Sequence, residues 1–183
     1  MGFDVDEFLA ELTAAAHDRA PQQAVEEVVR RAFSAPSAVA EVLGFKVRLG
    51  SILLHRSDDL TVQHFVMPPR WRTVVHDHRM WAVIATFGGQ EDNSFFQRSG
   101  STLCASGGQS CRPGDVIVLT DDVIHDVASG SGPTGGIHVY GGDLYNRPRS
   151  MWRGDPPIER PLDNEEDPNS YLPAMTEAGL LVP

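Results

Sequence analysis

The sequence predicts a mainly β protein, a single barrel or two-sheet sandwich with helices before it and an extended arm after it. Three observations carry this prediction. From Phe45 onward the chain breaks into short segments rich in Val, Ile, Thr and Phe, separated by Gly, Pro and Asp pairs, as evenly spaced short strands do. Most gaps between these segments are too short for the helical crossovers of a parallel sheet. Before Gly44 the apolar residues recur at helical spacing instead. The boundaries follow: a helical segment over 1–44, a barrel over 45–144 and an arm over 145–183, one domain in all. The 183 residues, 41% of them hydrophobic, suit one core of ordinary size.

Each part has its local reason. In the first helix Val5, Phe8, Leu9 and Leu12 share a face. Pro21 opens a second helix through Phe33, since proline is tolerated in a first turn. Ser34 or Ser37 is the expected cap of a third, short helix that Gly44 ends. The strand-like segments include FKVRLGSILLHR, LTVQHFVM, TVVHDH, MWAVIATF, NSFFQR, STLCAS, DVIVLT, IHDVAS and GGIHVYG. Trp71, Trp81 and Phe87 are expected in the core, and Asp92-Asn93 in a turn. The arm carries many prolines and charges and wraps the surface, with Met151, Trp152, Tyr171 and Leu172 as anchors.

Charge narrows the function. Fifteen basic against 25 acidic residues leave −10, so nucleic acid and anionic membranes are poor partners. No apolar run approaches the roughly 20 residues of a membrane span. The acidic start lacks the basic and apolar stretches of a secretory signal. Two cysteines, Cys104 and Cys111, make no disulfide framework. A cytoplasmic protein with reduced thiols is expected.

The chemistry lies in the histidines. His76 and His78 are two apart, so a strand puts them on one face about 7 Å apart. Two imidazoles at that spacing converge on an ion at about 2.0–2.1 Å from each nitrogen. His125 follows on a later strand, beyond the Pro113-Gly114-Asp115 turn, and completes a three-histidine ligand set. His138 is expected beside this set without touching the metal. Tyr140, two residues on, faces the same side and is placed to hydrogen-bond bound substrate or oxygen. His17, His55 and His64 are expected at the surface or in the core. Asp77 points away from the ligands and accepts structural hydrogen bonds.

These segments resemble a family. VVHDHRMWAVIATFGG is similar to the first motif of the cupins, and CRPGDVIVLTDDVIHDVAS to the second. His76-Asp77-His78, Asp121-Asp122 with His125, and His138-Val139-Tyr140 most resemble the cysteine dioxygenase branch, the thiol dioxygenases. The resemblance implies a cupin double-stranded β-helix barrel over about residues 45–145. It implies Fe(II) on the three histidines, with Tyr140 and His138 as catalytic residues. It places a substrate-carboxylate arginine about where Arg56 stands. The usual cupin glutamate would fall at Ala82 or Val83, so no carboxylate joins the ligands, as is typical of thiol dioxygenases. The serine that precedes His-x-Tyr in many members corresponds to Gly136. Cys104 does not match the cysteine that crosslinks to tyrosine in the family.

Three neutral ligands leave a divalent ion its full charge, which favours a directly bound anion such as a thiolate. Imidazole also suits zinc, nickel and other divalent ions, with manganese a further candidate. The expected reaction is oxidation of a small, carboxylate-bearing thiol by O2 to a sulfinate, by a monomer or homodimer. The alternatives are another metal cupin chemistry (a non-thiol dioxygenase, isomerase or lyase) and a barrel that binds a small ligand without catalysis.

Overall fold

The structure, a computed structural model, describes residues 2–45 and 50–162. Three helices come first: α1 (Val5–Ala16), α2 (Pro21–Ala32) and α3 (Pro36–Val42). Asp4 caps α1, its side chain accepting from the Glu7 amide at 2.9 Å, and so satisfies one of the first turn's unpaired N–H groups. Pro21 opens α2 as expected. The expected serine cap of α3 is absent. Ala35 holds the cap position and Pro36 starts the helix, its ring presetting φ and removing one orphan donor. Ser34 turns back instead and donates to the Arg31 carbonyl at 2.7 Å.

Eleven strands follow among the described residues: β1 (Gly50–Arg56), β2 (Thr61–Met67), β3 (Val75–Asp77), β4 (Ala82–Gly88), β5 (Glu91–Ser99), β6 (Thr102–Cys111), β7 (Val116–Leu119), β8 (Ile124–Ser129), β9 (Thr134–Tyr140), β10 (Ser150–Arg153) and β11 (Ile158–Pro161). They form a five-stranded sheet in the order β1-β2-β9-β4-β7 and a six-stranded sheet in the order β11-β10-β3-β8-β5-β6. The ladders within both sheets are antiparallel.

The period-two pattern of the strands decides which residues meet the site. On β4, Val83, Ala85 and Phe87 join Val25, Val28, Val29 and Phe33 of α2 and its C-cap in one buried cluster, which also holds Phe8 and Leu12 of α1. Burying an aliphatic or aromatic side chain of this kind contributes roughly 1.5–3 kcal/mol, so the helices seal that face of the five-stranded sheet. Ala82 and Ile84 point the other way, into a second cluster with Ile117, Leu119 and Tyr140. Strand β9 alternates in the same manner. Ile137 and Val139 pack with the helices, which leaves His138 and Tyr140 for the opposite face.

Two sequence expectations change here. Asp92 and Asn93 are no turn; they lie inside β5, paired with Ala128 and Val127 of β8. The residues after 145 do more than wrap a surface. Strand β10 pairs with β3, Met151 opposite His76 and Trp152 opposite Val75, and both Met151 and Trp152 are buried. Tyr171 and Leu172 lie outside the described residues. No helix among the described residues is long and apolar enough to cross a membrane.

Candidate metal centre

His76 on β3 stands directly opposite His125 on β8, and His78 follows at the end of β3. All three are buried, and one ligand nitrogen from each lies within 4.8 Å of the others. His78 Nε2 is 3.1 Å from His76 Nε2 and 3.3 Å from His125 Nε2. Asp77, between the two ligands, faces away. It accepts from the Ser150 amide at 2.7 Å and from Arg79 Nε at 3.2 Å. Arg79 bends the chain immediately after His78 in the left-handed conformation, φ 52°, which costs a non-glycine residue about 1–2 kcal/mol. Its bonds to Asp77 and to Ser150 Oγ, at 2.7 Å, hold it there.

The donor set fits a divalent cation. His76 Nδ1 lies 2.9 Å from the Val74 carbonyl oxygen, which can only accept, so this nitrogen carries the hydrogen and Nε2 keeps a bare lone pair. His125 Nδ1 lies 2.8 Å from Asn93 Oδ1, while Asn93 Nδ2 donates to Glu91 Oε1 at 3.0 Å. His125 Nε2 is bare by the same reasoning. Two lone pairs therefore aim at the place where His78 Nε2 also arrives. An ion about 2.1 Å from each nitrogen separates its ligands by about 3.0–3.4 Å, the spacing found from His78 to each of the other two. Acceptors behind the ligating imidazoles are the usual support of such a site.

Electrostatics favour the same form. Burial, and then the neighbouring His125, His76, Arg149 and His138, push the proton affinity of His78 well below its ordinary value. Burial, His76 and His138 do so for His125. Both imidazoles are thereby held neutral, the state that ligates metal.

The facing sheet supplies His138 and Tyr140. The Tyr140 ring meets His78 edge-on, with ring centroids 4.9 Å apart, and its hydroxyl lies 3.2 Å from His138 Nδ1. Phe65 stacks on the His138 ring at 4.7 Å. His138 Nε2 lies 3.1 Å from Glu91 Oε2, both side chains being buried. Glu91 and Asn93 were not legible as site residues. Their signal, polar side chains two apart on an inward-facing strand, resembles an ordinary turn until β5 is placed beside β8.

Arg56 is not found among the histidines. It is exposed at the end of β1, clamps Asp143 with two bonds of 2.9 Å, and lies over the Tyr145 ring at 4.9 Å. Its fork is taken by a carboxylate of the chain itself. Another arginine stands closer to the ligands. Strand β10 pairs Met151 with His76, and Arg149 immediately precedes that strand. Arg149 is half-buried, and its charge is among those that lower the proton affinity of His78.

Comparison with known proteins agrees on the fold. No protein-family model and no curated protein matches the sequence. Solved structures do. A Bacillus halodurans protein is 12% identical, with a TM-score of 0.50 over 57% of this chain and 77% of its own. The DMSP lyase DddQ of Ruegeria pomeroyi DSS-3 is 18% identical, with a TM-score of 0.46 over 58% of this chain and 53% of the lyase. An RmlC-like cupin with a double-stranded β-helix fold from Methanocaldococcus jannaschii is 9% identical, with a TM-score of 0.44 over 55% of this chain and 87% of its own. The match thus spans about half the length of the lyase. The described residues form a mainly β protein of two antiparallel sheets preceded by helices, and the three histidines can hold a metal.

Proposed function

We propose that the protein is a mononuclear non-haem iron dioxygenase, similar to cysteine dioxygenase, that oxidises a small thiol bearing an acidic group to the sulfinate. The observation that carries this reading is an all-imidazole ligand set with a cation near it: His76, His78 and His125 contribute no negative charge, and the charge of Arg149 acts on His78. When bound, Fe(II) supplies its full positive charge and open positions for an anion and dioxygen. The net change is R–SH + O2 → R–SO2H. Sulfur gives up four electrons, dioxygen takes them, and both oxygen atoms end on sulfur.

The chain's own residues divide the work. Arg149 forks onto the acidic group, since a guanidinium matches a carboxylate through two parallel bonds, and so orients the thiol toward the three histidines. Tyr140 and His138 line the other wall, where a hydroxyl hydrogen-bonded to an imidazole can take up or return a proton at the substrate. The apolar layer of Ala82, Ile84, Ile117 and Leu119 beneath Tyr140 limits the water that reaches these groups.

The test is oxygen consumption by iron-loaded protein with 3-mercaptopropionate, cysteine and cysteamine, with the product identified by mass spectrometry. Uptake of one O2 per acidic thiol, with sulfinate formed, is expected; no uptake with any thiol would sink the proposal. Arg149→Gln should raise KM for 3-mercaptopropionate about tenfold or more, the worth of a charged hydrogen bond, and leave cysteamine unaffected. Arg56→Gln should change neither. Elemental analysis of the purified protein decides between iron and zinc, nickel or manganese.

A further inference from the structure

Glu91 begins β5, and its two carboxylate oxygens are used in different directions. Oε1 accepts from Asn93 Nδ2 at 3.0 Å on its own sheet. Oε2 lies 3.1 Å from His138 Nε2 on the facing sheet. The residue is buried, as are Asn93 and His138. We propose that Glu91 is a positioning residue that sets two imidazole tautomers at once, His125 through Asn93 and His138 directly, and thereby aims both the metal-binding lone pair and the Tyr140 hydroxyl.

A carboxylate accepts and does not donate. On the first arm it compels Asn93 to present its amide nitrogen to Glu91 and its oxygen to His125 Nδ1. That nitrogen must carry the hydrogen, and Nε2 is left bare at the ligand position. On the second arm it compels His138 Nε2 to donate. In the neutral imidazole His138 Nδ1 is then the acceptor, and the Tyr140 O–H, 3.2 Å away, donates to it. With its hydrogen given to His138, the Tyr140 oxygen can only accept from a further partner. A substrate group lodged there is a donor, a thiol or ammonium hydrogen, and not a carboxylate. This deepens the proposed function by placing a hydrogen-bond donor of the substrate at Tyr140 and its acid end at Arg149. It rests on the metal reading only along the His125 arm.

Glu91→Gln keeps the shape and removes one acceptor. A carboxamide oxygen can serve one arm; its NH2 must face the other and reverse the hydrogen bonds there. Nitrogen NMR of protein carrying 15N-histidine, metal-free and zinc-loaded, distinguishes a bare ring nitrogen from a protonated one. In the wild-type protein without metal, we expect His138 protonated on Nε2 alone and His125 on Nδ1 alone. In Glu91→Gln, one of these two rings should invert. Inversion of His125 should also weaken zinc binding about tenfold or more, whereas inversion of His138 should leave zinc binding as it was.

A wild-type His138 protonated on Nδ1, or on both nitrogens, would overturn the proposal. So would unchanged tautomers of both rings in Glu91→Gln. The wild-type spectrum decides the matter even if that variant does not fold. If neither zinc nor iron binds while the wild-type tautomers are as stated, the metal reading falls and the Glu91–His138 arm stands.

Discussion

A Cβ atom added to Gly136 on β9 would stand 2.7 Å from the backbone carbonyl oxygen of Ala85 on β4. The two strands are paired here, Gly136 opposite Thr86, and the obstacle is backbone, so it cannot swing aside. A serine at this position has no room, and His138 finds its partner in Glu91 across the sheets. Gly136→Ser should therefore destabilise the protein by about 1–3 kcal/mol, the usual effect of overpacking. A melting temperature equal to that of the wild-type protein would refute this.

Replacing any one of His76, His78 and His125 with Ala should strip most of the bound metal. Two imidazoles hold a divalent ion far less well than three, and the three lie on one short stretch of sheet with no carboxylate among them. Metal content of the purified variants is the measurement. Full occupancy in all three would contradict the ligand assignment.

Asn93→Ala removes no ligand but takes away the acceptor 2.8 Å from His125 Nδ1. Loss of such a supporting partner commonly weakens metal binding about 10–100-fold. Titration calorimetry with zinc would show it, and an unchanged affinity would mean that His125 is oriented by its packing alone.

Acid should destabilise the metal-free protein. Burial foremost holds His78 and His125 well below the ordinary value of 6.5, so the folded chain binds fewer protons than the unfolded chain once the pH falls below that value. Stability is then intact above about pH 6.5 and declines as the pH drops further. Metal competes with protons for the same nitrogens, so zinc should move the decline to lower pH. Thermal melts between about pH 8 and about pH 5, with and without zinc, test both statements. Identical curves would count against the depressed histidines.

Tyr140→Phe deletes one hydroxyl, 3.2 Å from His138 Nδ1, and keeps the ring that meets His78 edge-on. Metal content should stay as in the wild-type protein while turnover with the thiol falls about a hundredfold, a typical loss for a proton-handling group. Turnover at the wild-type rate would remove Tyr140 from the mechanism.

What could be read from the sequence was whatever repeats at short range. His76 and His78 declare themselves by a spacing of two, and His138 and Tyr140 by their alternation with Ile137 and Val139, which sorts one sheet face from the other. Register between distant strands has no such signature. Arg56 drew attention because it precedes the first histidine motif in the chain, yet Asp143 takes up its guanidinium. Arg149 follows Pro148 in a stretch with no periodicity, and its charge reaches His78 only in the folded chain. Glu91 and Asn93 became meaningful once β5 lay beside β8 and faced β9, contacts that span 32 and 47 positions of the chain.

Strand β3 is three residues long and lies between β8 and β10. Its first neighbour ends at Ser129 and its second begins at Ser150, so the amide that secures Asp77 between the two ligands is among the last described parts of the chain to be synthesised. A nascent chain still on the ribosome has made His76, His78 and His125 long before Ser150 emerges to brace them. The brace on Asp77 is thereby made only after all three histidines, and chains that stop short of Ser150 lack it.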